Sequence, residues 1–123
     1  MITYKKHIQT FKSMLHILKT EKDINSIRNH IIIFMKYLEK HHLLIKDYAA
    51  YHKLFLCCEV KACSIKDQSI EAKLAFLTLI HRMDFIDSNS DVFIMYYKNH
   101  MLQEIIESAI DSLELLIGGI DNV

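Results

Sequence analysis

Proline is absent from these 123 residues, tryptophan is absent too, and glycine occurs only as Gly118 and Gly119. A β-rich chain of this length needs many tight turns, built mostly from Gly, Pro, Asn and Asp. That punctuation is missing until the C-terminus, which argues against sandwiches and barrels. The same scarcity removes a class of chemistry: no glycine-rich loop can cradle a phosphate, and there is no GxSxG elbow or Walker motif. Apolar runs are short. Ile31–Met35 and Leu54–Cys58 are five residues each, against the ~20 that cross a bilayer. No apolar run follows Lys5 and Lys6, so no signal peptide is expected and the cytoplasm is the expected location.

Metal-site patterns are incomplete. Eight histidines are present, but no two are spaced i, i+3 or i, i+4. A di-iron bundle needs two ExxH motifs, and only Glu39-Lys40-His41-His42 supplies one. His100-x-x-x-Glu104 has ligand spacing, yet His100 falls on a polar helix face; His81-x-x-Asp84 is a third fragment. Surface or core-edge histidines are therefore expected, with His52 and His81 near apolar faces, and no metal or cofactor. Cys57, Cys58 and Cys63 form no CxxC pair, and their odd number inside an apolar segment reads as reduced core thiols.

What is present is ample apolar material for one core: 51% hydrophobic residues against 24% charged. Nineteen isoleucines favour strands by propensity, but periodicity reports which face is buried and overrules them. Tyr4, Ile8, Phe11, Leu15 and Leu18 form one helical stripe. Ile24, Ile27, Ile31, Phe34 and Leu38 form a second, after an Asp23 cap. Ile32, Ile33 and Met35 widen it, making this the helix expected to be most enclosed. Tyr48, Tyr51, Phe55, Cys58 and Ala62 follow an Asp47 cap, and Ile70, Leu74 and Leu77 follow start signals at Ser64 and Asp67. After the polar loop Asp87–Asp91 comes the longest pattern, Val92, Met95, Asn99, Leu102, Ile106, Ala109, Leu113 and Leu116, broken only by Asn99 and stopped by Gly118-Gly119. The predicted fold is an all-α, single-domain bundle of about five helices over 3–21, 24–41, 47–63, 67–84 and 91–117, the last one long.

Charge is unevenly placed. Residues 1–66 hold twelve Lys/Arg and five Asp/Glu, a net +7; residues 67–123 hold three and ten, a net −7. No basic residue follows Lys98. On the last helix Glu104, Glu107, Asp111 and Glu114 lie about 120–200° from Leu102, an acidic stripe opposite the buried one. Like charges at these spacings repel by a few tenths of a kcal/mol per pair, and no lysine within the helix relieves them. Either the protein's own basic half or a partner must. A basic partner would be steered in rapidly by such a face. These carboxylates are expected to be exposed, which gives no reason for the raised pKa of a general acid; the protein is not expected to be an enzyme. A single arginine among the basic residues of the first three helices, with a pI of 7.1, speaks against direct nucleic-acid binding. Phe93–Tyr97 is rich in aromatics and offers either an enclosed helix start or an apolar patch for a homodimer.

Through Glu104, Glu107, Asp111 and Glu114, with Asp84, Asp87 and Asp91, the chain resembles small helical bacterial immunity proteins of the bacteriocin and contact-dependent-inhibition kind. The resemblance implies a non-catalytic inhibitor that binds a cognate nuclease-type toxin through these acidic residues, Asp87 and Asp91 included, without touching membrane. A helical oligomeric adaptor is the alternative. Ile27-Arg28-Asn29-His30-Ile31-Ile32-Ile33-Phe34 is also similar to a helix segment in poxviral Bcl-2-like inhibitors of host signalling.

Overall fold

The computed structural model describes residues 2–86 and 91–121. Their only regular structure is helical, with six α-helices among the described residues: α1 Ile2–Thr20, α2 Ile24–Lys40, α3 His52–Glu59, α4 Ile70–Ile86, α5 Val92–Lys98 and α6 Met101–Asp121. Single 3₁₀ turns at Tyr48–Tyr51 and Ile65–Asp67 precede α3 and α4. Among the described residues no helix is long and apolar enough to cross a membrane.

The stripes that sequence assigned to α1 and α2 are the faces that pack. Phe11 and Leu18 are buried on α1, as are Ile27, Ile31, Phe34 and Leu38 on α2, and Phe11 meets Phe34 edge-on at 5.1 Å between ring centres. The Asp23 side chain caps α2 by accepting the Ser26 N–H at 2.9 Å. Helix α2 is not the most enclosed element, however, because Ile33 stays 64% exposed. That position belongs to α4, where Ala72, Lys73 and every residue from Ala75 to Ile80 are buried. Helices α3, α5 and α6 and the turn before α3 all pack against it. An element enclosed on every side has no polar face, so its periodicity is weak and its centrality is hard to read from pattern. Its start is later than expected. Ser69 Oγ accepts the Ala72 N–H at 3.1 Å, so Ser69 opens the helix, and Ser64–Asp67 forms the separate turn before it.

The pattern predicted as one helix over 91–117 is two, α5 and α6, parted at Asn99 and His100. His100 adopts φ 66°. The Asn99 Oδ1 accepts the Met101 N–H at 2.9 Å, and Gln103 Nε2 donates to the Tyr97 carbonyl at 3.0 Å. Side-chain groups thereby replace the backbone partners lost at the break. The bend re-aims α5, burying Val92, Phe93, Ile94 and Tyr96 while Met95, expected inside, is 51% exposed. Helix α6 has 21 residues and α1 has 19, so length does not set the last helix apart. Nor does Gly118-Gly119 stop it, for α6 runs to Asp121 and no described glycine has positive φ.

Candidate functional site

Helix α6 turns one face into the core and carries acid on the other. Met101, Leu102, Ile105, Ile106, Ala109, Ile110 and Leu113 are buried, while Glu104, Glu107, Asp111 and Glu114 are exposed. The buried face fixes the helix, so the outward carboxylates sit on a rigid support.

Two of the four meet the protein's own lysines. Lys12 Nζ lies 3.6 Å from Glu114, and Lys19 Nζ lies 4.0 Å from Glu107. The seven-residue step on α1 matches the seven-residue step back along α6, so the two helices run antiparallel with lysines facing carboxylates. Of the two sources of positive charge that the sequence leaves open, the protein's own basic half supplies the one at Glu107 and Glu114. All four side chains remain about half exposed, the regime where an ion pair contributes at most about 1 kcal/mol.

On the other flank, Lys73 of α4 is buried beneath the stripe. Its Nζ donates to Ser112 Oγ at 2.7 Å, to the Ser108 carbonyl at 3.1 Å and to the Lys66 carbonyl at 3.5 Å. Burial pushes this ammonium below its ordinary pKa, while the fields of Asp111 and Asp67 oppose that shift. Lys73 lies outside the basic first 66 residues from which the balancing charge is expected. A lone lysine among Ile70, Ala72 and Leu74 was the available signal. Among the described residues Glu104 and Asp111 form no salt bridge.

Asp91 is engaged elsewhere: both its carboxylate oxygens accept from the Arg28 guanidinium, Oδ1 at 3.1 Å from Nε and Oδ2 from Nη2. That fork holds the Asp91 carboxyl below its usual range. Burial pushes the nearby Asp84 carboxyl up, and Asp91 adds to it. Asp87 lies outside the described residues. The structure therefore gathers Glu104, Glu107, Asp111 and Glu114 on one face and ties Asp91 to α2.

Glu104 also borders an open cleft of about 780 Å³ between the end of α3 and the α5–α6 junction, with Glu59, Lys61, Cys63 and Asp67 on its walls. Here the expectation of three reduced thiols is corrected: Cys57 and Cys63 are disulfide-bonded, and Cys58 alone is free and buried. Tyr96 donates to Glu59 at 2.7 Å, locking α5 to the end of α3.

At the far end of α1, buried His7 meets the Tyr37 hydroxyl at 2.6 Å and packs edge-on against His41. Burial lowers both imidazole pKa values, and His41 and Lys6 lower that of His7 further. His81 is partly buried with Nδ1 unpartnered, whereas His52 is exposed. Among the described residues no three His, Cys, Asp or Glu side chains converge to hold a metal ion.

No protein-family model, no curated protein and no solved structure matches this chain.

Proposed function

We propose that this protein is a non-enzymatic binding module that neutralises a basic protein partner, in the manner of toxin immunity proteins, through the outward face of α6. The observation that carries the reading is four exposed carboxylates on a helix whose opposite face is core. A rigid support lowers the entropy lost on docking. The lysines that face Glu107 and Glu114 are half exposed and 3.6–4.0 Å away, so an incoming arginine competes with them at little cost. Glu104 and Asp111 add charge that these lysines do not meet. Asp91, already forked by Arg28, contributes less than the stripe.

The test is calorimetric titration against the polypeptide encoded by the adjoining open reading frame, at low and high salt. One-to-one association that weakens with salt is expected. Glu104→Lys with Asp111→Lys should weaken it by at least about tenfold, with helicity by circular dichroism unchanged. Affinity indifferent both to salt and to these reversals rules the α6 face out, and no association at all rules out this partner.

A further inference from the structure

The end of α3 is closed twice. Lys61 takes φ 64°, Lys61 N–H donates to the Cys58 carbonyl at 3.0 Å, and Ala62 N–H donates to the Cys57 carbonyl at 2.9 Å. This is a Schellman turn, complete in its backbone bonds. Cys63 N–H adds a second bond to the Cys57 carbonyl at 3.1 Å. Over the same segment lies the Cys57–Cys63 disulfide, six residues apart in sequence with Cα atoms 5.3 Å apart. A cross-link over so short a loop removes less entropy from the unfolded chain than a long-range one does, and the backbone bonds hold the two Cα positions without it. Both cysteines are partly exposed, and Cys63 lines the cleft beside Glu104. Accessible disulfides of this kind are the labile ones.

We propose that Cys57–Cys63 is a reversible thiol–disulfide site, opened by a small thiol reductant entering the cleft at Cys63 and reclosed by a small disulfide, while the helical bundle stays folded. In opening, a reductant thiolate attacks Cys63 Sγ, forming a mixed disulfide; the protein S–S bond breaks and Cys57 leaves as a thiolate that takes a proton from water. A second reductant thiolate attacks the reductant sulfur of the mixed disulfide and releases Cys63. Two electrons pass to the protein, and the reductant departs as its own disulfide. The Schellman turn keeps the thiols near each other, so the reverse sequence with the oxidised small disulfide reforms the bond. Cys58 also borders the cleft but is buried there, which sets it outside the exchange; burial and the Glu104 charge push its thiol pKa up and disfavour the thiolate.

The test equilibrates the full chain in glutathione buffers of graded reduced-to-oxidised ratio. Acid quenching, alkylation and mass measurement then count free thiols, and far-ultraviolet circular dichroism follows the fold. Two thiols, at Cys57 and Cys63, should appear together in a single transition with helicity unchanged, and Cys58 should be alkylated only in denaturant. Reduction should run at least about tenfold faster than global unfolding, as sub-global opening requires. Cys58→Ala should leave the transition in place. Thiols released only at the rate of global unfolding would show a structural cross-link and overturn the proposal. So would failure to form the bond in excess oxidised glutathione, or a Cys58→Ala protein that no longer shows the two-thiol step.

Discussion

His42, Lys61 and His100 each adopt left-handed backbone, at φ 57°, 64° and 66°, and each ends a helix where glycine is the usual residue. A side chain in this region costs roughly 1–2 kcal/mol. At these three places among the described residues the chain turns without glycine by accepting that cost. His42→Gly and His100→Gly are accordingly expected to raise stability, each by up to about 1 kcal/mol once the greater freedom of unfolded glycine is subtracted. Urea midpoints of the two variants check this, and a fall in both would contradict it. The buried His7 and its neighbour His41 give a pH dependence with a definite sign. Their folded pKa values lie below 6.5, so the unfolded chain binds protons first as pH falls. Stability is therefore full above about pH 6.5 and is lost progressively below it. Unfolding followed at pH 7.5 and pH 5 should show this loss, and His7→Phe should shrink it; an equal loss in the variant would assign it to other groups. Buried Lys73 has hydroxyl and carbonyl acceptors but no carboxylate at contact. Lys73→Met should alter stability by no more than about 1 kcal/mol, whereas Lys73→Glu should cost about 3–5 kcal/mol by leaving a buried charge unpaired. Denaturant unfolding separates these outcomes.

At the scale of elements, the join between α5 and α6 depends on one side chain. Asn99 interrupts an otherwise apolar pattern, and its Oδ1 satisfies the Met101 N–H. Asn99→Ala is expected to cost about 1 kcal/mol, read from thermal unfolding. Periodicity flagged this residue as the exception but could not turn the exception into a break. A polar residue on a buried stripe is equally compatible with a continuous helix, and only the packing of Phe93 and Tyr96 selects the bend. Helix α4 poses the converse problem. Its Phe76 is fully buried and meets Phe55 at 5.6 Å, yet a helix covered on all sides has little amphipathic signature to read. Helices α1 and α2, covered on one side, were legible nearly to the residue.

Across the whole molecule, charge segregation along the chain becomes juxtaposition in space. The basic α1 lies antiparallel to the acidic α6, bringing Lys12 and Lys19 to Glu114 and Glu107. A double-mutant cycle on Lys12 and Glu114 should give a coupling below about 1 kcal/mol that fades in salt. A larger, salt-insensitive coupling would mean that the pair is structural and unavailable to a partner. The sequence alone determined that the chain is helical, where its first two helices run, that Asp23 caps α2, and that the last helix bears acid opposite its apolar face. These are local properties, set by residues a few positions apart. Tertiary structure decided which helix lies at the centre, which carboxylates meet lysines, and that Cys57 reaches Cys63 instead of lying beside it as a free thiol. Those outcomes depend on how the chain turns and which faces meet, whether across a six-residue reversal or across most of the chain. No helical period encodes them.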